Sequence, residues 1–372
     1  MKYYLIAGEA SGDLHASNLM KAIKQKDADA DFRFWGGDLM QAQGGELLKH
    51  YRDLAFMGFV EVLLNLKTIL GNVSFCKKDI ESWNPDVLVL IDYPGFNLRI
   101  AKFAHAKGFK VVYYISPKVW AWKKGRVKTI KAVVDKMLVI FPFEKAFYAN
   151  YNMKVDFVGN PLLDAMQEEQ YESKEVFCRQ HNLSDKPLIA LLPGSRKQEV
   201  SRMLSVMLQV VPLFQDYQFV IAGVPSLGME FYNKYLTGSS VKVIFQQTHQ
   251  IVHHAEAALV TSGTATLETA LIGTPQVVCY KANAISYQIA KRVIKVKYIS
   301  LVNLIMDKPV VKELIQDNFN VQMLSSELNL ILNNKAHRNQ QLTDYDRLRQ
   351  LLGNSGASAK AAEAINSLIV KE

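Results

Sequence analysis
Short, continuously apolar runs alternate along this chain with segments whose apolar residues recur at helical spacing. Runs of four to seven apolar residues without polar alternation are what a parallel strand buried on both faces requires, and the intervening helical periods supply the crossovers. In the first half the pattern predicts strands at Tyr3–Ala7, Phe32–Trp35, Val87–Ile91, Val111–Ile115, Met137–Ile140 and Asp156–Val158. Helices are predicted between them at Asp13–Lys26, Asn97–Lys107, Arg126–Val134 and Pro142–Tyr151. The alternation restarts at Leu188–Leu192 and runs through Phe219–Ala222, Val241–Phe245, Ala258–Thr261 and Gln276–Tyr280. From Val310 onward the reading is almost entirely helical.

Two successive α/β units predict two Rossmann-like domains with a cleft between them. A chain of 372 residues also exceeds the size at which one core keeps growing. The polar stretch after Gly159-Asn160-Pro161 marks the division. The expected domains are 1–165 and 166–355, with the Ala-rich tail 356–372 crossing back onto the first domain.

Hydrophobic residues at 49% and charged residues at 21% describe an ordinary globular chain and argue against disorder. The net charge of +9 asks for an anionic partner: a polyanion, a membrane surface or a phosphorylated substrate. Nucleic acid fits poorly, because the basic residues are not interleaved with aromatics in a recognition module. Cys76, Cys178 and Cys279 are odd in number and far apart, which excludes a disulfide framework and an obvious zinc cluster. The N-terminal apolar run is too short for a signal peptide, and no apolar stretch approaches the ~18–20 residues of a membrane span.

In open parallel sheets, ligands bind beyond the carboxyl ends of the strands, so the loops there carry the chemistry. The first, Gly8-Glu9-Ala10-Ser11-Gly12-Asp13, is a small-residue turn entering a helix, suited to close approach of a ligand or backbone. It is not GxGxxG, which weighs against a dinucleotide enzyme. Asp13 reads as a helix cap, which leaves Glu9 and Ser11 without a structural role and, with Gly12, as candidate cleft residues. Asp92, at the end of the strand Val87–Ile91, is placed to serve as a general base with its pKa raised by burial, or simply to cap a turn. Asn97 follows it in the same loop. Ser116-Pro117-Lys118-Val119-Trp120-Ala121-Trp122 puts two tryptophans at i, i+2, suited to stacking on a sugar, to a lipid interface or to plain core packing.

In the second half, Gly194-Ser195-Arg196 offers a cationic clamp for phosphate at a helix start. Ser262-Gly263-Thr264 presents hydroxyls and backbone N–H groups to a diphosphate, and Glu268 lies one turn into the next helix, where it can accept from ribose hydroxyls. A P-loop, a GxSxG elbow and a DxD motif in a strand-end loop are missing, so no metal or other cofactor is expected. Phe59–Phe75 reads as a helix with a broad apolar face formed by Phe59, Val62, Leu63, Leu66, Ile69, Leu70 and Val73. Lys77 and Lys78 follow, and a second basic segment runs from Lys123 to Lys131, the composition of an interfacial membrane binder. An ordinary helix buried between layers fits the same pattern.

The stretches AGEASGDLHA, MGFVEVL, IDYPGFN, SPKVWAW, FPFEKAFY, LLPGSR, SGTATLE and YISLVNL, in this order from Ala7 to Asn303, resemble the lipid-A-disaccharide synthase family. The resemblance implies an inverting, metal-independent glycosyltransferase of the GT-B fold. It implies transfer of 2,3-diacylglucosamine from UDP to 2,3-diacylglucosamine 1-phosphate (lipid X), giving a β-1,6-linked disaccharide and UDP. By the same resemblance Asp92 and Arg196 take the critical positions, Ser262, Gly263, Thr264 and Glu268 fall in the nucleotide site, and Asn303 lines it. The chain departs from the family at Gly159-Asn160-Pro161, where several relatives carry Gly-His, so no catalytic histidine is expected there. The implied setting is the cytoplasmic surface of the inner membrane, and a homodimer is compatible with it.

Overall fold
A computed structural model of the chain describes residues 1–54, 66–121, 125–167, 169–283, 287–288 and 296–369. It divides into two compact units, Met1–Glu168 with Leu352–Glu372, and Glu169–Leu351.

The first unit is built on a seven-stranded sheet: β1 (Lys2–Ala7), β2 (Asp31–Gly36), β3 (Glu46–His50), β4 (Val87–Ile91), β5 (Val111–Tyr114), β6 (Lys136–Val139) and β7 (Asp156–Phe157). The order is β3-β2-β1-β4-β5-β6-β7 and every pairing is parallel, with Tyr3 opposite both Phe32 and Val87. Strand order reverses between β1 and β4. All of β4 and all of β1 after Lys2 are buried. Their loops diverge to opposite sides, which opens a crevice at their carboxyl ends.

The second unit carries β8 (Leu188–Leu192), β9 (Gln218–Gly223), β10 (Lys242–Phe245), β11 (Ala255–Thr261), β12 (Gln276–Tyr280) and β13 (Lys312–Ile315), also all parallel, in the order β10-β9-β8-β11-β12-β13. Its reversal lies between β8 and β11. The motifs singled out in the sequence therefore sit directly after the four central strands: 8–13 after β1, 92–97 after β4, 193–196 after β8 and 262–268 after β11.

Two strands escape the apolar pattern. β3 has no fully buried residue and β13 only Leu314, because both lie at sheet edges with one side open. β13 corrects the expectation of an almost wholly helical chain after Val310. Asp13 is corrected as well: it lies inside the helix Ala10–Lys24 and caps a different one. Its buried carboxylate accepts from the backbone N–H of Gly37 (2.7 Å), Leu39 (3.1 Å) and Met40 (3.1 Å), at the start of helix Asp38–Ala42.

Of the predicted lipid-facing helix, Phe59, Val62 and Leu63 lie outside the described residues, as does the side chain of Leu66. The described portion runs from Leu66 to Trp83, so Lys77 and Lys78 belong to the helix instead of following it. Val73, Cys76 and Ile80, at helical spacing, are buried, whereas Ile69 is half-buried and Leu70 and Phe75 are 52% and 48% exposed. No described helix is long and apolar enough to cross a membrane.

The terminal helix Ala357–Ile369 belongs to the first unit, where Ala357, Ala361, Ala362 and Ile365 are buried and the helix lies against Ala10–Lys24. Small side chains permit the close approach, and Asp164 fixes the start. Its Oδ1 accepts from the N–H groups of Gly356 (2.6 Å) and Ala357 (3.2 Å), and its Oδ2 from that of Ser358 (2.8 Å). Donors at a helix start have no intrahelical partner, so a remote carboxylate both caps the helix and ties it down. Asp164→Ala should destabilise the chain by about 1–2 kcal/mol in urea unfolding and make the terminal amides exchange faster. Unchanged exchange in the variant would show that apolar packing alone docks the helix.

Candidate functional site
Asp92 directly follows β4, and both it and Tyr93 adopt left-handed backbone conformations, with φ of 43° and 44°. Consecutive non-glycine residues in this region are strained and need external restraint. The restraint is visible. The Asp92 N–H donates to the Tyr114 carbonyl (3.1 Å), and its own carbonyl accepts from the Asn97 amide (2.9 Å) and the Tyr113 hydroxyl (2.5 Å). Asn97 is fully buried and also donates toward the carbonyls of Ile91 (3.2 Å) and Ile6 (3.3 Å), which joins the ends of β4 and β1. It holds the Asp92 backbone from beneath. Gly8 makes the neighbouring turn possible, since a Cβ there would stand 2.3 Å from the Tyr93 ring.

Burial pushes the Asp92 carboxyl up to about 6, opposed by the charge of Lys118 and reinforced by that of Glu9. Glu9, Asp92 and Lys118 thus share one neighbourhood at the ends of β1, β4 and β5. Glu9 and Ser11 are exposed on the first turn, whereas Gly12 is buried against Ala7 and Ile91.

A second buried carboxyl, Glu144, was visible in the sequence only as part of FPFEKAFY. It has no solvent exposure, and its Oε2 accepts from the N–H groups of Ile140 (3.2 Å) and Phe141 (3.0 Å). Burial raises its pKa to about 7 despite those two donors and the nearby Ser116 and Trp120. Ser116 is buried and hydrogen-bonded to the Tyr148 hydroxyl (2.7 Å), and Trp120 meets Phe143 edge-on at 5.1 Å. Trp120 is thereby half-buried against the FPF segment, while Trp122 lies outside the described residues. Glu144 lies beside Ser116 and Trp120 of the loop 116–121, and a single buried carboxyl inside an apolar segment left no mark in the apolar pattern.

In the second unit Gly194 takes φ of +115°, which turns the chain out of β8 into helix Lys197–Val210 with Arg196 at the cap position. Ser195 and Arg196 are exposed, and among the described residues the guanidinium makes no ion pair. The Ser195 N–H donates to Glu199 at 3.0 Å. After β11, Gly263 caps helix Thr264–Ile272. Gly263 and Thr264 are exposed, while the Ser262 hydroxyl donates to the Ile299 carbonyl (2.9 Å). Asn303 is only 1% exposed, and its amide is consumed internally. It donates to the Val311 carbonyl and to Glu313 (both 2.9 Å) and accepts from the Val311 N–H (2.9 Å). Glu313 also accepts from the N–H groups of Ile299 (3.0 Å) and Ser300 (2.9 Å). Asn303 therefore frames the strand-end turn through Ile299 and Ser262. Glu268 is partly exposed and bonded to His249 (3.3 Å), a residue the sequence did not single out.

Glu144→Ala would leave two buried N–H groups without an acceptor, a loss of about 2–4 kcal/mol in urea unfolding, whereas Glu144→Gln retains an acceptor oxygen and most of the stability. The native carboxyl keeps its proton up to about 7 while the unfolded one releases it near its ordinary 4.5. The native state thus binds more protons in between, and stability falls as pH rises through that window. Glu144→Gln should make the decline between pH 5 and 8 shallower; an unchanged slope would refute the buried-proton assignment.

Comparison with known proteins agrees with this architecture. The chain matches the sequence profile of the lipid-A-disaccharide synthetase family over residues 3–368. It is 40% identical to the lipid-A-disaccharide synthase of Syntrophus aciditrophicus, covering 99% of this chain and 97% of that protein. It is 37% identical to the one from Coxiella burnetii, with 98% of both chains covered. Among solved structures, it is similar in fold to the UDP-GlcNAc 2-epimerase of Neisseria meningitidis bound to UDP-GlcNAc (TM-score 0.69, 12% identity, both chains covered fully). It is also similar to a calicheamicin glycosyltransferase (TM-score 0.61, 14% identity, 100% and 98% covered). Two parallel-sheet units with these fold neighbours and that profile identify a glycosyltransferase of the GT-B class, and the chain belongs to the lipid-A-disaccharide synthetase family.

Proposed function
We propose that this chain transfers 2,3-diacylglucosamine from UDP to the 6-hydroxyl of 2,3-diacylglucosamine 1-phosphate, with inversion and without a metal ion. The observation that carries the reading is Asp92: a carboxyl at the strand-order reversal, clamped through its backbone and shifted by burial to about 6, where a general base is useful near neutrality. The Glu169–Leu351 unit binds the UDP moiety through Ser195, Arg196, the Ser262-Gly263-Thr264 turn and Glu268. The Met1–Glu168 unit supplies the base. The acceptor oxygen attacks the anomeric carbon as its proton passes to Asp92. The bond from that carbon to the diphosphate oxygen breaks, and the departing UDP keeps the electron pair. Arg196 and the backbone N–H groups at the two turns stabilise the charge that develops on it. The acceptor is positioned by Glu9, Ser11 and the loop that includes Trp120.

Turnover of the two acylated sugars in detergent micelles with EDTA tests the assignment directly, by release of UDP and formation of the disaccharide phosphate. Asp92→Asn should lower kcat by ~10²–10⁴-fold with UDP affinity retained. The active form is the ionised carboxylate, so wild-type kcat/KM should rise with pH through about 6 and level above it, a limb the variant lacks. Arg196→Ala should lower kcat by ~10²–10³-fold. UDP binding without product would redirect the reading to another UDP-sugar, and full turnover by Asp92→Asn would remove it as the base.

We further propose that the chain works at the inner-membrane surface on its cytoplasmic side. Exposed Leu70 and Phe75 share a helix with exposed Lys67 and Lys78, which combines apolar insertion with attraction to anionic lipid. The double variant Leu70→Ser, Phe75→Ser should lose most of its co-sedimentation with anionic phospholipid vesicles. Equal sedimentation of variant and wild type would place the contact elsewhere.

A further inference from the structure
Glu268 does not stand alone. His249 lies between two carboxylates, with Nδ1 at 2.5 Å from Glu169 and Nε2 at 3.3 Å from Glu268. A carboxylate on each side lets both ring nitrogens donate, so the geometry selects the imidazolium. Burial works against that charge, but hydrogen bonding and attraction from Glu268 and then Glu169 outweigh it and lift the ring to about 9. All three side chains are largely covered, at 23% exposure for His249, 24% for Glu268 and 35% for Glu169.

The bridge lies at the carboxyl end of the second sheet. His249 follows β10, through Gln246 in a left-handed conformation (φ 60°), and Glu268 follows β11. An open hollow beside it is lined by Glu169, Tyr171, Gln246, Gln247, Thr248 and His249. The neighbouring chain is held firmly. Gln250 bonds the backbone of Gln170 (2.9 Å) and Glu172 (3.3 Å), and Tyr171 stacks on His253 at 4.0 Å. His249 is thus anchored on a rigid ledge. Only Oε2 of Glu268 is engaged; among the described residues Oε1 accepts no hydrogen bond. A carboxylate held by one oxygen and free at the other is prepared to accept from a diol.

We propose that His249 is a positioning residue for nucleotide recognition, holding Glu268 so that its free oxygen accepts from the ribose hydroxyls of the UDP donor. This rests on the reading of the second unit as the UDP site. An unheld glutamate would lose rotamer freedom on binding and would swing toward solvent when unoccupied, so fixing it beforehand favours association.

The test is isothermal titration of the full-length chain with UDP and with 2′,3′-dideoxy-UDP, which lacks the diol. Wild type should bind UDP roughly tenfold more tightly than the analogue. Glu268→Gln and His249→Gln should each weaken UDP by roughly that factor, leave the analogue unchanged, and show no further loss when combined. At saturating donor, kcat of His249→Gln should stay within about twofold while KM for the donor rises in step with Kd. His249→Lys, which restores a cation between the carboxylates, should recover part of the discrimination. Equal loss for UDP and the analogue in His249→Gln would show a purely structural role and overturn the proposal, as would no loss at all. If Glu268→Gln keeps wild-type discrimination, Glu268 does not read the ribose and the proposal fails with it. If wild type binds neither nucleotide, it is the UDP reading that fails.

Discussion
Strands buried on both faces leave a sheet no place to display polar chemistry except at its ends. In each unit the central strands are buried along most of their length, and their backbone groups are consumed by parallel neighbours. A functional side chain must then appear in the first residues after a strand, where the ladder stops and backbone groups become available. This places Asp92 after β4, Arg196 after β8 and the Ser262-Gly263-Thr264 turn after β11, and all three follow strands that flank a reversal in strand order. The reversal parts the loops on either side and leaves room for a ligand.

Positions so close to a strand end come with strain, and the structure answers it with buried polar groups. Asp92 and Tyr93 hold left-handed conformations because Asn97 and the Tyr113 hydroxyl grip the carbonyl between them. Glu144 holds the turn after β6 through the N–H groups of Ile140 and Phe141, and Asn303 with Glu313 serves the turn at Ser262. In each unit, bonded and largely covered polar residues thus brace the strand ends, while Glu9 and Ser11 in the first unit and Ser195, Arg196 and Thr264 in the second are exposed. The division is physical: a residue bonded internally fixes geometry, and an exposed one keeps its hydrogen-bonding capacity open to solvent.

The same distinction explains the limits of reading from sequence. The apolar runs identify the central strands because burial on both faces forces continuous apolarity. The edge strands β3 and β13 carry ELLKH and KELI, with little apolar signal, because one side faces no neighbour. Asp13 looks like a cap of its own helix, and in isolation that is the economical reading. Its carboxylate instead serves the start of helix Asp38–Ala42, twenty-five residues beyond, a pairing that only the fold brings about. His249 carries no motif at all; its meaning arises from Glu169 and Glu268, which lie on either side of it in space and far away along the chain.

Sequence alone therefore determined the class of fold, the strands at its centre, the loops at their carboxyl ends and, through their motifs, the family. Each follows from local rules: apolar periodicity, turn residues and the placement of charge next to a strand end. Tertiary structure alone decided which polar residues brace and which are presented, how the terminal helix is fastened to the first unit by Asp164, and which carboxyls are raised by burial. Those properties depend on the number of partners and the exclusion of water around each group. Both are set by segments distant in sequence, and no local pattern encodes them.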